Sequence, residues 1–240
     1  MTFEQSSELA AVEERLLNGA GVGGAAVRTR RLELPENGQT INYFIVGGEQ
    51  PKPACVLVHG FGCGVGCWAA NAAALAANFV VYAVDLPGFG RSSRPDFSRA
   101  SGAQAAEDYF VLPLERWREA LCRKGHTALE KPTWIGHSLG GFVVSCYALR
   151  FPSRVQRLVL VDAWGLHDVK DEDERCIPLV LRSVVAALPS PLSPIRWLDR
   201  AGGLGKPVYS RVKNTDFQRW AITPKIVINY IILITCRSCN

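Results

Sequence analysis

The sequence predicts an α/β fold with a mostly parallel sheet covered by helices on both faces. Three observations lead there. Short, continuously apolar runs alternate with helical stretches between Ala54 and Val161, as expected of parallel strands buried on both sides. Loops rich in glycine and acidic residues follow those runs at their carboxyl ends, where open parallel sheets place their functional loops. Finally, Gly136-His137-Ser138-Leu139-Gly140 stands between the apolar run Pro132–Ile135 and a helix-like run from Gly141 to Leu149, a setting in which a G-x-S-x-G serine sits on a sharp strand-to-helix turn.

At the amino end, Leu9, Val12, Leu16 and Leu17 recur at helical spacing, with Ser6 or Ser7 as cap and Gly19 as stop. A link rich in Gly and Ala, residues 19–26, leads to Val27–Leu34 and Thr40–Val46, two strand-like runs around Pro35-Glu36-Asn37-Gly38 that read as an antiparallel hairpin at a sheet edge. Four apolar runs then supply the parallel strands: Ala54–Val58, Phe79–Val84, Thr133–Ile135 and Arg157–Val161. Their following loops are His59-Gly60-Phe61-Gly62, Asp85-Leu86-Pro87-Gly88-Phe89-Gly90, the serine turn, and Asp162-Ala163-Trp164-Gly165. Beyond Gly165 the composition turns to charges, then to prolines among loosely helical apolar stretches, the texture of a cap inserted over an active site. The expected organisation is a helix and linker over 1–26, a core over 27–165, and a partial cap with a divergent tail over 166–240.

The chain has 240 residues, 48% of them hydrophobic, and a formal charge of +5. That is enough for one α/β domain with a substantial core, and the charge lacks the long basic block of a nucleic-acid binder. A mildly basic surface tolerates anionic lipid headgroups. No apolar stretch reaches the roughly 20 residues of a membrane span, and the first residues lack a signal-peptide pattern, so a cytoplasmic chain, peripheral on lipid droplets or intracellular membranes, is expected. Eight cysteines are scattered, several in core runs, which suits reduced thiols. Cys236-x-x-Cys239 is half a zinc knuckle without a second pair, so neither a metal nor a cofactor is expected.

Ser138 as a nucleophile requires a base, an acid to orient it, and oxyanion donors. The backbone N–H groups of Phe61 and Leu139 are the candidate donors, one in a glycine-flexible loop and one at a helix start. Of the four histidines, His137 lies inside the turn and is expected to pack toward the sheet. His59 is expected to brace the oxyanion loop, and His126 to lie at the opposite end of the sheet. His167 emerges on the correct side but precedes the position after the last strand where such hydrolases carry their base, so it is a poor candidate. Asp162, ending the strand after the serine, reads equally as an orienting acid or a loop residue. Asp85 is expected to stabilise its own loop.

These segments resemble the α/β-hydrolase-domain lipid enzymes, and within them the branch of the lipid-droplet lipase co-activator and the N-acyl-phospholipid lipase, with its lysophosphatidate acyltransferase association. The resemblance rests on His59–Gly62, on Asp85–Pro95 with its Gly-Phe-Gly-Arg-Ser-Ser-Arg-Pro string, on Gly136–Phe142, on Tyr147–Val161 around Phe151-Pro152-Ser153-Arg154-Val155, and on Trp164-Gly165; Glu107–Leu121 also looks like this branch. It implies an α/β-hydrolase fold and an acyl-lipid or lysophospholipid substrate passing through an acyl-enzyme at Ser138, or alternatively a non-catalytic lipid-binding protein that regulates a lipase or a droplet surface. The co-activator replaces the nucleophile, whereas Ser138 is kept here. The family also continues past the cap with two strands bearing the acid and the histidine, and with an H-x-x-x-x-D motif that has no counterpart in this chain. A truncated gene model or splice form is therefore expected, non-homologous after about Ile231, with an apolar sheet edge left open.

Overall fold

The computed structural model describes residues 3–19, 27, 29–47, 52–97, 103–164 and 231–235. Its frame is a seven-stranded sheet. The strands are β1 (Thr29–Glu33), β2 (Thr40–Val46), β3 (Ala54–Val58), β4 (Val80–Val84), β5 (Thr133–His137), β6 (Arg157–Val161) and β7 (Ile231–Thr235), in the order β1-β2-β4-β3-β5-β6-β7. β4, β3, β5 and β6 are mutually parallel, while β1, β2 and β7 pair antiparallel to their neighbours.

The apolar runs become strands because both of their faces are covered. All five residues of β3 are buried, and the alternation of side chains sends them to opposite layers. Val56 and Val58 join Tyr82, Val84, Trp117, Trp134, Val143 and Tyr147 on one face. Cys55 and Leu57 join Leu17, Phe44, Trp68, Ala72, Val81 and Ala83 on the other. The first face is covered by the helices α3 (Ala103–Arg123) and α4 (Leu139–Arg150), the second by α1 (Phe3–Gly19) and α2 (Ala69–Ala76).

Helix α1 ends at Gly19 as the sequence suggests, and it docks through Leu17 and Glu13 while Val12 and Leu16 remain exposed. Between α3 and α4 a buried polar cluster is fully engaged: Arg118 binds Glu115 through Nε and Nη2, at 2.7 and 2.6 Å, donates through Nη1 to Leu129 O, and sits 3.2 Å from Tyr147 Oη. The tyrosine hydroxyl donates to Glu115 Oε2.

One expectation is corrected. The outer edge of β6 is not open: β7 pairs along its whole length, from Arg157↔Thr235 to Val161↔Ile231. The run Ile231-Ile232-Leu233-Ile234-Thr235 is rich in residues that favour strands, and an apolar edge with unsatisfied N–H and C=O groups is a template for such a segment. The proposed cap, His167 and the Cys236/Cys239 pair lie outside the described residues.

Candidate active site

Ser138 is the hinge between β5 and α4, with φ 51° and ψ −119°. A non-glycine residue at positive φ is strained, and such strain concentrates at functional positions. Neighbouring glycines allow the bend. A Cβ on Gly136 would lie 2.5 Å from Gly140 O, one on Gly140 2.2 Å from Val58 O, and one on Gly141 2.5 Å from the Ala163 Cβ. The small residues thus let α4 start directly against β3 and the 161–164 segment. Main-chain bonds fasten the hinge: Ser138 N–H donates to Val161 O, and Ser138 O accepts from the N–H groups of Phe142 and Trp164.

The loop after β3 reaches the same point. Gly60 packs so closely that a Cβ there would stand 3.1 Å from the Ser138 Cβ and 3.0 Å from His137 Nδ1. Phe61 follows, its ring 42% exposed and edge-on to Phe89. Leu139 is the first residue of α4, where N–H groups are free of intrahelical partners. The structure therefore brings the Phe61 loop and the Ser138–Leu139 turn to one place. Phe61, Phe142 and Trp164 are exposed large apolar side chains on the three segments that meet there.

His59 is fully buried and engaged through both nitrogens. Its Nδ1 lies 2.7 Å from Gly60 O and its Nε2 accepts from Leu86 N–H at 3.0 Å, which places the proton on Nδ1. Burial lowers its pKa, so the ring is a neutral brace between two loops. Asp85 completes the brace. Its carboxylate accepts from Asn42 Nδ2 (2.7 Å), Val65 N–H (2.7 Å) and Arg91 N–H (2.9 Å). Gly90, at φ 47°, makes room, since a Cβ there would fall 2.2 Å from Asp85 Oδ2. Ser92 and Ser93 bond to Asn42 N–H and Thr40 N–H, so the Arg91-Ser92-Ser93 string ties the loop after β4 to β2.

The remaining titratable groups are distributed as follows. His126 pairs with Tyr82 Oη at 2.9 Å, just before β5 begins and so away from the serine. His137 is half-buried; burial lowers its pKa and the Asp162 charge opposes that. Among the described residues no histidine is hydrogen-bonded to Ser138 Oγ. Asp162 is exposed at the carboxyl end of β6 and, like Ser138, has positive φ, 46°. That strain was not legible in the sequence, and the three-donor role of Asp85 was legible only as a loop residue. No group of three or more His, Cys, Asp or Glu able to hold a metal occurs among the described residues, and no helix of those residues is long and apolar enough to cross a membrane.

A strained serine between a central strand and a helix, faced by a glycine loop, is accompanied by a match of residues 53–179 to the alpha/beta hydrolase fold family. The chain belongs to this α/β-hydrolase family. Human 1-acylglycerol-3-phosphate O-acyltransferase ABHD5 is 44% identical over 170 residues, covering 70% of this chain and 46% of the relative. Human (lyso)-N-acylphosphatidylethanolamine lipase is 35% identical over 192 residues, covering 79% and 53%. Among solved structures, a membrane phospholipase A described as a bacterial virulence factor superposes with a TM-score of 0.53 at 26% identity, covering 70% of this chain and 47% of that one. The chain spans about half the length of these curated relatives, and shares with them the lineage that the Ser138 turn and the Gly-Phe-Gly-Arg-Ser-Ser-Arg-Pro string suggested.

Proposed function

We propose that the chain carries the nucleophile half of an acyl-lipid ester hydrolase or acyltransferase site. In this reading Ser138 Oγ attacks the acyl carbonyl, the N–H groups of Phe61 and Leu139 receive the oxyanion, and the acyl group passes to water or to a lysophospholipid. The observation that carries it is the strained Ser138 hinge with Gly60 packed on its Cβ. The lipid substrate class is supported by the names of the two human relatives. Residues 27–165 together with β7 serve as the core, and 166–230 and 236–240 as the cap region and tail.

Proton transfer is the incomplete part. His59 and His126 are engaged elsewhere, and Asp162, next to the Val161 carbonyl that accepts from Ser138 N–H, is the candidate carboxylate to orient a base from outside the described residues, His167 included. The 240-residue chain is therefore expected to hydrolyse a short-chain ester no faster than its Ser138→Ala variant. A fluorophosphonate is expected to label Ser138 slowly but site-specifically, because an oxyanion site without its full triad still retains part of its rate advantage. Serine-dependent turnover would show that a base is present. Absence of any Ser138 label would remove the nucleophile assignment.

A second reading, lipid binding without chemistry at a droplet or lipase surface, is favoured by one observation: Phe61, Phe142 and Trp164 are exposed on the segments meeting at Ser138. Vesicle binding that is the same in Ser138→Ala and in unlabelled native chain would select it.

A further inference from the structure

Helix α1 precedes the region matched to the family, which begins at residue 53, and a link rich in Gly and Ala follows it over residues 19–26. It is nevertheless docked against the loop that carries Phe61, by two lines of contact. The polar line starts at Glu13, only 6% exposed. Glu13 Oε2 accepts from Arg91 Nη1 at 3.4 Å, and the same nitrogen donates to Thr29 Oγ1 at 2.6 Å. Arg91 N–H donates in turn to Asp85 Oδ2 at 2.9 Å, and Asp85 Oδ1 accepts from Val65 N–H at 2.7 Å. The apolar line runs through the last turn of the helix. Leu17 is fully buried in one cluster with Val65 and Trp68, and Leu16, half-exposed, reaches over Gly66, where a Cβ would stand 3.3 Å from Leu16 Cδ2. Asn18 Oδ1 then accepts from Val27 N–H at 2.8 Å, fixing the helix end to the chain that enters β1.

Both lines end in the segment Gly64–Trp68, a few residues after Phe61. The chain between is closed by tight turns: Cys63 N–H donates to Gly60 O at 3.3 Å and Cys67 N–H to Gly64 O at 3.1 Å. Gly64 itself is pressed on the polar line, since a Cβ there would lie 3.0 Å from Asp85 Oδ1. A displacement of Val65 or Gly66 is therefore passed back along a short, hydrogen-bonded path to Phe61. The serine side of the site is fastened separately. Ser138 N–H donates to Val161 O, and Ser138 O accepts from Phe142 and Trp164, bonds that involve neither α1 nor the loop.

We propose that α1 is a strap for the oxyanion loop, in which Glu13, through Arg91 and Asp85, and Leu16, on Gly66, are positioning residues that fix where the Phe61 N–H points. Neither residue touches the reacting atoms; each acts through the loop. The proposal rests on the reading of Phe61 N–H as an oxyanion donor. Such donors contribute through being held in place before charge develops, so a loop that wanders loses rate without losing the nucleophile. Lifting α1 away loosens the oxyanion side of the site and leaves the Ser138 hinge as it is. Anything that captures α1 would thus lower the reactivity of Ser138 from a distance.

The test uses the full-length chain and two readouts. One is fluorophosphonate labelling of Ser138, resolved into a limiting rate and a half-saturating concentration; the other is amide hydrogen exchange at Cys63 and Cys67, whose N–H groups close the loop. Both are followed at about pH 6, below the Glu13 pKa of about 7, where Gln is the isostere of the protonated side chain. In Glu13→Ala the limiting rate is expected to fall about ten-fold, less than the loss of a whole oxyanion donor, with half-saturation unchanged. Exchange at Cys63 is expected to quicken by about ten-fold. Glu13→Gln keeps an acceptor for Arg91 and is expected to restore both. Leu16→Ala, at a half-exposed position that the fold tolerates, is expected to slow labelling about three-fold and to quicken exchange at Cys67. Native exchange at both cysteines in Glu13→Ala, or in Leu16→Ala should the first not fold, would overturn the proposal. Leu129→Ala opens the core beside Arg118, in the other layer, and is expected to lower Tm without either effect; the same slowing and the same exchange there would make α1 a general stabiliser and overturn the proposal too. Absence of any Ser138 label in the native chain would instead remove the nucleophile assignment, and the strap would then stand or fall on exchange alone.

Discussion

Gly140 touches the main chain of Val58: a methyl at Gly140 would stand 2.2 Å from the Val58 carbonyl oxygen. The second glycine of the serine turn is thereby a spacer that sets how closely α4 approaches β3. Gly140→Ala has no flexible side chain to displace, only backbone. It is expected to destabilise the chain by about 2–4 kcal/mol, measured as a shift in the urea midpoint; a loss under about 0.5 kcal/mol would show that the helix can retreat freely.

Asp85 joins three segments through a single carboxylate, at Asn42, Val65 and Arg91. Asp85→Ala leaves those three donors without their acceptor in a buried site. The expected cost is about 3 kcal/mol or more, with faster amide hydrogen exchange at Val65 and Arg91 as the local signature. Unchanged exchange at both would place the loop's rigidity elsewhere.

Glu13 on α1 has its pKa raised from 4.5 to about 7, chiefly by burial and then by the Asp85 charge, against the opposing pull of Arg91. Between those two values the folded chain binds a proton that the unfolded chain has released. Glu13 therefore contributes stability that is complete below about pH 4.5, declines through the interval, and is gone above about pH 7. Glu13→Gln is expected to remove this slope and to stabilise the chain at pH 8 by about 1–3 kcal/mol. Parallel pH profiles of Tm for the two proteins would refute the assignment.

Phe142 and Trp164 are 36% and 61% exposed beside the serine hinge. Replacing both by Ala removes apolar surface that does little for the core. Binding to phosphatidylcholine vesicles is expected to weaken roughly ten-fold, corresponding to about 1.4 kcal/mol, with Tm nearly unchanged. Equal vesicle binding by native and double-variant chains would separate this rim from lipid contact.

The strands were legible because continuous apolar runs have few alternatives in a two-sided sheet; Ala54–Val58 became β3 at those bounds. The hairpin partner β1 was also foreseen, though it begins at Thr29 rather than Val27. Asp85 reads as a stabiliser of its own loop, which understates it, since its partners at positions 42 and 65 are brought close only by the pairing of β4 with β2 and with β3. The antiparallel strand at the β6 edge was missed because a short isoleucine-rich run has no periodicity that separates a strand from an apolar tail.

That edge strand has a topological consequence. Val161 and Ile231 are direct partners at the carboxyl end of β6, the end at which Ser138 sits. The stretch between them departs from and returns to neighbouring strands, which lie about 4.8 Å apart. Whatever path residues 165–230 take, they are anchored at both ends beside the serine, so a short hairpin turn in their place would preserve chain connectivity without reordering the sheet. The two points of attachment form a single seam between β6 and β7.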